Sequence, residues 1–380
     1  MEAVLNRWLD RVRDAATRGQ SIRLRGGGSK DGYGEGLAGV VFDTREYAGI
    51  VSYEPSELVV TVRCGTSLAE LENVLAERGQ CLPFEPPHRL PGTDPDAASV
   101  ATCGGMLAAG LSGPARANAG AVRDFVLGAR IVNGRSELLT FGGQVMKNVA
   151  GYDVSRLMAG SLGTLGIVAE MSLKVLPVAP AEATLRFDLR QSEALARLHQ
   201  WGGQPLPLNA SCWSANDVSD EATDAPGVLT LRLRGAVAAV DAACKCLGGE
   251  RVDAAQAGIF WQARRNMQMP WPHPHEGRDL WRLSLPQTTP VLPLRSSTMV
   301  EWHGAQRWLL ARVEDAAGVR EAARTAGGSA TLFAAGTSGR SPERRVFDAM
   351  PPAIDRIHRA LKREFDPVGI FNPGRMSPDW

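Results

Sequence analysis

Two regimes within one chain predict an α+β protein built in two parts. Before residue 170, three glycine-rich clusters separate short strand-like runs. Beyond Pro177 and Pro180 the composition changes, and strands alternate with amphipathic helices. Between these regimes runs an alternating strand with Ile167, Ala169, Met171, Leu173 and Val175 on one face. The expected organisation is a first domain over 1–177, itself in two parts of about 1–52 and 53–177. A smaller α+β domain with helices on one face of an antiparallel sheet follows over 178–335, and a helix and tail over 336–380.

A chain of 380 residues is long enough for two cores. A net charge of +1 gives no basic field for nucleic acid or an anionic membrane. The six cysteines are dispersed, without a second pair at metal-ligand spacing, so they read as buried thiols of a reducing compartment. Residues 1–18 place Leu5, Trp8, Leu9 and Val12 on one side of a surface helix. No apolar run reaches the roughly 20 residues that span a bilayer. The expected location is cytoplasmic, with membrane association only through a partner.

In chain order, Ile22 and Leu24 alternate with Arg23 and Arg25 in a short strand. Arg25-Gly26-Gly27-Gly28-Ser29-Lys30 follows. Without Cβ atoms the backbone can turn sharply, and successive N–H groups can form a concave site for a pyrophosphate. Read alone, the same glycines favour a flexible turn. Gly34-x-Gly36-x-x-Gly39 has dinucleotide-fingerprint spacing but leads into the strand Val40–Asp43 where that motif requires a helix. No Ser or Thr follows Lys30, which rules out a P-loop. Leu58 to Cys64 is a strand. Ser67 and Glu70 fit a capping box opening a helix with Leu68, Leu71, Val74 and Leu75 inward and Gly79 as its stop.

Pro83 to Asp96 is proline-rich and reads as a loop. The second small-residue cluster, Ala101 to Gly113, either exposes N–H groups or permits tight helix–sheet packing. Phe125–Val132 and Glu137–Phe141 form a hairpin about Asn133-Gly134. The third cluster runs from Gly160 to Val168. Beyond 178, strands are expected at 184–189, 208–213, 228–234, 279–285, 297–302, 307–312 and 329–333, with helices at 191–201, 237–247, 255–268 and 315–326. His273-Pro274-His275-Glu276 has a metal-binding composition, but its prolines read as an exposed loop, and no metal is assigned. The last helix, from Pro352, directs Ile354, Ile357, Leu361 and Phe365 inward, and the apolar tail Gly369–Met376 packs.

Together the clusters resemble the flavoprotein family that shares the FAD-binding domain of vanillyl-alcohol oxidase, p-cresol methylhydroxylase and the D-2-hydroxyacid dehydrogenases. Arg25–Lys30 resembles its pyrophosphate loop. Asp96 to Gly113, with Thr102, Gly104 and Gly105, resembles its FAD-wrapping segment. Gly160 to Val168, preceded by Lys147-Asn148-Val149-Ala150-Gly151-Tyr152-Asp153, resembles its Gly-Ser-x-Gly-Thr-Leu-Gly-Ile motif. Asp366-Pro-x-Gly-Ile-Phe-Asn-Pro-Gly374 resembles its C-terminal return. A narrower similarity, to the FAD-binding E subunits of bacterial glycolate oxidase (glycolate dehydrogenase), rests on Glu85-Pro-Pro-His88, Val122 to Gly128, Phe141 to Asn148 and Phe371 to Met376.

The resemblance implies a two-part p-cresol methylhydroxylase-type FAD domain with a smaller α+β cap. It implies FAD bound by Arg25, Gly26, Gly27, Gly28, Ser29, Lys30, Asp96, Thr102, Gly104, Gly105, Ala109, Gly110, Ser112, Gly113, Gly163, Gly166, Ile167 and Val168. It further implies a complex with a larger FAD-containing catalytic subunit and an iron–sulfur subunit, in which glycolate is oxidised to glyoxylate and electrons pass toward a quinone. Two departures stand against self-sufficiency. The His-x-Gly-x-Gly-x-x-His metal motif of stand-alone members is missing, and the second domain is short. The alternatives are a stand-alone FAD-dependent D-2-hydroxyacid dehydrogenase and a flavin-free scaffold. No residue is singled out as catalytic base. Arg116, Arg123 and Arg375 are candidate carboxylate partners, and His88 is a loop histidine without a sign of flavin attachment.

Overall fold

The computed structural model describes residues 1–90, 100–143, 153–216, 223–268, 277–294, 296, 298–336 and 344–379. It divides into two compact units. One comprises Met1–Leu111, Ala121–Pro177 and Ala349–Trp380; the other comprises Ser112–Gly120 and Val178–Asp348.

The chain opens with helix α1 (Glu2–Arg18), ended by left-handed Gly19. Its buried stripe of Leu5, Trp8, Val12 and Ala15 holds three of the four residues expected on that side, and Leu9 is half-buried. Trp8 packs its ring on Phe42 and Tyr47 and donates its N–H to Glu46 at 2.8 Å. Strands β1 (Ile22–Arg25) and β2 (Val40–Asp43) pair in parallel. Then come β3 (Ile50–Glu54), β4 (Val59–Arg63), α2 (Leu68–Ala76), β5 (Gln80–Cys81), α3 (Cys103–Ala109) and α4 (Arg116–Ala119), which belongs to the other unit. After α5 (Val122–Phe125) follow β6 (Val126–Val132), β7 (Leu138–Gly142), α6 (Val154–Leu157), β8 (Ile167–Lys174) and β9 (Leu176–Pro177).

β3-β4-β8-β6-β7 form an antiparallel sheet with β8 at its centre. The alternating residues of β8 predicted to face a core do so, from Ile167 to Val175. Its other face is buried as well, but polar. Glu170 accepts from Tyr47 Oη at 2.5 Å and Arg130 Nη1 at 3.2 Å, and Ser172 hydrogen-bonds Thr61 at 2.8 Å. Those bonds offset the desolvation of the burial.

Two local expectations fail. Ser67 does cap α2, but its side chain makes no capping hydrogen bond. The β6–β7 loop spans five residues, closed by Asn133 Oδ1 accepting from the amides of Arg135 and Glu137 at 3.0 and 2.9 Å. Ser136, at φ 61°, is its left-handed residue. Gly134 is required for another reason: its Cβ would lie 2.6 Å from Asp366 Oδ1.

In the second unit, β10 (Ala181–Arg190), α7 (Gln191–Gly202), β11 (Leu208–Ala215), β12 (Pro226–Gly235), α8 (Val237–Leu247), β13 (Glu250–Arg251) and α9 (Ala254–Arg265) come first. β14 (Arg278–Ser284), β15 (Thr298–Glu301), β16 (Gln306–Arg312), α10 (Ala316–Thr325) and β17 (Ser329–Ala334) complete it. The sheet is antiparallel, in the order β13-β10-β12-β11-β15-β16-β14-β17. α7 and α8 cover Leu185, Leu229, Leu231 and Val300, and α10 covers Trp281, Leu283, Leu309 and Leu332.

The expectation of helices on one face is corrected by α9. Its Trp261 donates to Thr184 Oγ1 at 3.0 Å and its Arg264 to Glu301 Oε1 at 3.1 Å. Thr184 and Glu301 alternate with Leu185 and Val300, so α9 lies on the opposite face. The last helix, α11 (Pro352–Phe365), returns to the first unit. Contrary to expectation, Ile354 and Ile357 are exposed, and Lys362 is buried with Phe365.

The turn between β15 and β16 carries consecutive left-handed residues, Trp302 and His303 at φ 53° and Gly304 at φ 104°. Trp302 Nε1 donates to Gly113 O at 3.0 Å, and His303 N to Ser211 Oγ at 2.9 Å. His303 is half-buried overall, yet both ring nitrogens are sealed from solvent without a hydrogen-bond partner among the described residues. Burial pushes its pKa down to about 4 from an ordinary 6.5. The unfolded chain therefore binds this proton more readily than the folded one. Its stability contribution is complete above pH 6.5 and is lost as pH falls toward 4, by up to about 3 kcal/mol. Urea denaturation at pH 7 and pH 4.5 is expected to show a smaller loss for His303→Asn than for the native protein. Equal losses would count against this account.

Candidate cofactor cleft

The first unit contains an open cleft where the glycine clusters meet. Its first wall is the turn after β1. A Cβ on Gly26 would stand 2.2 Å from Thr102 Oγ1, and one on Gly27 only 1.5 Å from the Val100 carbonyl oxygen. Gly28 adopts φ +79°, and a Cβ there would stand 2.3 Å from the Arg25 guanidinium. Gly27 is thus imposed by close approach of the Val100 backbone, Gly26 by the Thr102 side chain and Gly28 by its left-handed φ. The amides of Gly26, Gly27 and Gly28 have no acceptor among the described residues. Three successive unpaired N–H groups on a cleft wall fit an anionic diphosphate.

Arg25 lines the cleft but is tied back, its Nε donating to Asp31 Oδ2 at 2.8 Å beside Arg23 Nη2 at 2.7 Å. Lys30 Nζ bonds Ser29 Oγ at 3.2 Å and His88 O at 3.3 Å. The His88 ring pairs with Glu72 at 2.9 Å.

The second wall is the start of α3. Thr102 is its N-cap and accepts from Gly105 N at 3.2 Å. Gly104 donates to Cys64 O at 2.8 Å, and its Cβ would meet Cys64 Cβ at 2.8 Å. Burial pushes the Cys64 thiol up to about 12, so it lines the cleft as an unreactive thiol.

The third wall is the loop before β8. Gly160 N and Leu162 N bond to Leu107 O and Ala108 O at 3.0 and 2.9 Å, fastening the loop to α3. Gly163 and Gly166 have φ +70° and +141°, and a Cβ on Gly166 would lie 2.6 Å from Val132 O.

The cleft thus gathers Arg25, Gly26, Gly27, Gly28, Ser29 and Lys30 with Thr102, Gly104, Gly105 and Ala109, and with Gly163, Gly166, Ile167 and Val168. Gly110 lies outside the lining. It ends α3 in the left-handed region, and its Cβ would stand 2.8 Å from Gly160 Cα. Ser112 and Gly113 belong to the second unit. Asp96, Lys147 to Tyr152 and the His273–His275 motif lie outside the described residues.

Among the lining residues not expected to bind the cofactor are Asn372 and Arg375, the latter expected only as a candidate carboxylate partner. Asn372 Oδ1 accepts from Leu24 N at 2.8 Å, and its Nδ2 donates to Leu162 O at 2.7 Å, joining the first and third walls. Arg375 is buried, with bonds to Glu35 O at 2.7 Å, Asp31 O at 2.8 Å and Tyr33 O. It braces the loop after the triple glycine and is not a carboxylate receptor. Of the other candidate cations, Arg116 lies over the Trp302 ring at 4.5 Å in the second unit, and Arg123 is exposed. The signal for the tail was its polar residues, Asn372 and Arg375, set in an otherwise apolar stretch.

Beneath Asn372, Lys362 Nζ donates to Thr164 O at 2.7 Å, Asp366 Oδ2 at 2.6 Å and Phe371 O at 2.8 Å. Asp366 also accepts from the amides of Ile370 and Phe371 at 3.0 and 2.8 Å. Burial lowers the lysine pKa, and the adjacent Asp366 carboxylate opposes that shift. Lys362→Ala is expected to cost about 3–5 kcal/mol by leaving Asp366 buried without its counter-charge. Asn372→Ala is expected to cost about 1–3 kcal/mol through its two lost bonds. Urea denaturation at neutral pH measures both, and a change below half a kcal/mol for Lys362→Ala would contradict the account.

Residues 8–142 match a family model described as FAD binding domain. The chain is 43% identical over 368 residues to the glycolate oxidase subunit GlcE of Escherichia coli K12, covering 97% of this chain and 96% of that protein. It is 32% identical to the glycolate oxidase subunit GlcD of Bacillus subtilis over 159 residues, 42% of this chain and 32% of that one. The D-lactate dehydrogenase of Anaerostipes hadrus is 31% identical over 37% of this chain and 27% of its own. In fold, the chain superposes on alkyldihydroxyacetonephosphate synthase with a TM-score of 0.62 at 16% identity, covering 95% of this chain and 73% of that one. The α+β fold with an FAD-binding domain, expected from the glycine clusters and the alternating strands, is therefore the observed one, and FAD is the cofactor. Identity sustained over nearly the whole of both chains leads to one conclusion: this chain belongs to the family of the glycolate oxidase subunit GlcE, among the FAD-dependent oxidoreductases.

Proposed function

We propose that this chain is the FAD-holding subunit of a complex that oxidises glycolate to glyoxylate, working with a larger FAD-containing catalytic subunit and an iron–sulfur subunit. The observation that carries the cofactor site is the run of amides at Gly26, Gly27 and Gly28 in the cleft wall, without an acceptor among the described residues. In this reading they hold the pyrophosphate, with Ser29 and Lys30 at the end of the loop. Thr102, Gly104, Gly105 and Ala109 line the cofactor on one side, and Gly163, Gly166, Ile167 and Val168 on the other. Leu24, Ala108 and Ile167 exclude water along it. FAD, when bound, supplies the acceptor for a hydride from the α-carbon of a 2-hydroxy acid.

The titratable side chains lining the cleft are Arg25, Lys30, Asp31, Cys64 and Arg375. The Asp31 carboxylate is engaged by two arginines, and the Cys64 thiol stays protonated. Among the described lining residues, none is a free base for the substrate hydroxyl. That supports a subunit that holds flavin for a shared reaction over a self-sufficient dehydrogenase. Association with a membrane, in this reading, comes through the complex; among the described residues no helix is long and apolar enough to cross one.

Gly27→Asp is a poor discriminator, because any Cβ there strikes the Val100 backbone. Gly105 is better placed: the nearest atom to its Cβ is the Thr102 hydroxyl at 3.2 Å, and its φ is not left-handed. Gly105→Asp is expected to fold, with an unchanged far-ultraviolet spectrum, yet to lose flavin absorbance after FAD reconstitution through a carboxylate placed in the cleft. Full flavin content in that variant would overturn the site assignment. The isolated native chain is expected to retain flavin and to reduce dye with glycolate only weakly until the partner subunits are added. Vigorous turnover by the chain alone would restore the stand-alone dehydrogenase reading.

A further inference from the structure

The N-terminal half of α11 turns an apolar face away from its own unit. Ile354, Ile357, Leu361 and Phe365 form one stripe at helical spacing. Phe365 is buried and Leu361 half-buried, while Ile354 is 44% exposed and Ile357 55%. The half-buried face in that part of the helix is polar instead. It comprises His358 and the Asp355–Arg359 pair at 2.7 Å, with Arg359 Nη1 also reaching Asp379 O at 3.3 Å. Ala353 and Ala360 are exposed beside the isoleucines, as is Glu364, whose carboxylate pairs with Arg135 Nη1 at 3.1 Å, and beyond them on the same side are exposed Arg356 and Arg363. Neither arginine has a carboxylate partner among the described residues.

Resting on the reading of this chain as a subunit of a complex, we propose that this face of α11 is the docking site for a helix of a partner subunit. The occupant has an apolar face flanked on one side by a row of carboxylates. The isoleucines supply the apolar contact, and alanines seven residues apart let a second helix approach to about 8–10 Å between axes. The unpaired arginines select a partner carrying Asp or Glu along that flank. A second copy docked antiparallel would set the two arginine flanks against each other. A membrane surface fits less well, since interfacial helices carry cations on both flanks of a broader apolar face, often with aromatic residues.

The test co-expresses the full chain with the larger flavin subunit and the iron–sulfur subunit of the same organism and follows assembly by sedimentation velocity. Ile354→Glu with Ile357→Glu, and separately Arg356→Glu with Arg363→Glu, are expected to weaken assembly at least tenfold. Flavin content of the isolated chain stays at the native level, because these side chains are exposed and outside the cleft lining. Native assembly should weaken as salt rises. A short cross-linker on Ala360→Cys should capture an acidic helical peptide of a partner subunit. Undiminished assembly of both variants overturns the docking site while leaving the complex intact. Cross-linking to a second copy, or recruitment to phosphatidylserine vesicles in place of the subunits, also overturns it. Failure of the native chains to assemble removes the complex reading itself, and the docking site with it.

Discussion

The first unit depends on a buried ammonium group. Lys362 Nζ donates to Asp366, to the Thr164 carbonyl in the third glycine loop and to the Phe371 carbonyl in the tail. An ammonium has three protons, and all three are used, which is the condition under which a charge can stay buried. Asp366 in turn accepts the amides of Ile370 and Phe371. That fixes the tail so that Asn372 reaches both Leu24 and Leu162. Elements more than three hundred residues apart in sequence are thereby joined beside the cleft.

Seen from that junction, the glycines divide into two kinds. Some leave backbone amides on the cleft wall without an acceptor among the described residues, as at Gly26, Gly27 and Gly28. Others exist because another chain segment comes too close for a Cβ: Gly104 against Cys64, Gly110 against Gly160 and Gly166 against Val132. Gly26 and Gly27 meet both conditions, since Thr102 and Val100 crowd them from outside while their N–H groups remain unpaired. The loop is therefore preformed by packing, and the ordering cost of binding an anion is reduced accordingly.

The second unit follows a different logic. Its sheet is held by strand pairing and by helices on both faces, with Glu301 collecting bonds from Arg264, Gln306 and Trp308 at 3.1, 2.9 and 2.7 Å. The strained turn at Trp302–Gly304 is held by Trp302 Nε1 on Gly113 O and by the His303 amide on Ser211. Buried polar groups specify this unit as much as its leucines do.

The sequence by itself determined the order and kind of the longer elements, because alternation and helical spacing are local properties that survive into the fold; it did not show β3, the short helices α3 to α6 or the two-residue strands. It also located the three glycine clusters, since the need to omit Cβ is written in residue identity. Only tertiary structure decided why each glycine is there, because the atom it avoids lies in a distant segment. The same holds for Asn372 and Arg375, whose partners are backbone groups near residues 24, 31–35 and 162. It holds for α9, whose face of the sheet depends on which strand residues meet Trp261 and Arg264. It holds most plainly for α11. Periodicity identifies Ile354, Ile357, Leu361 and Phe365 as one stripe, but what covers a stripe is settled by the bodies around it, and there the burial of Lys362 prevailed over that of the isoleucines.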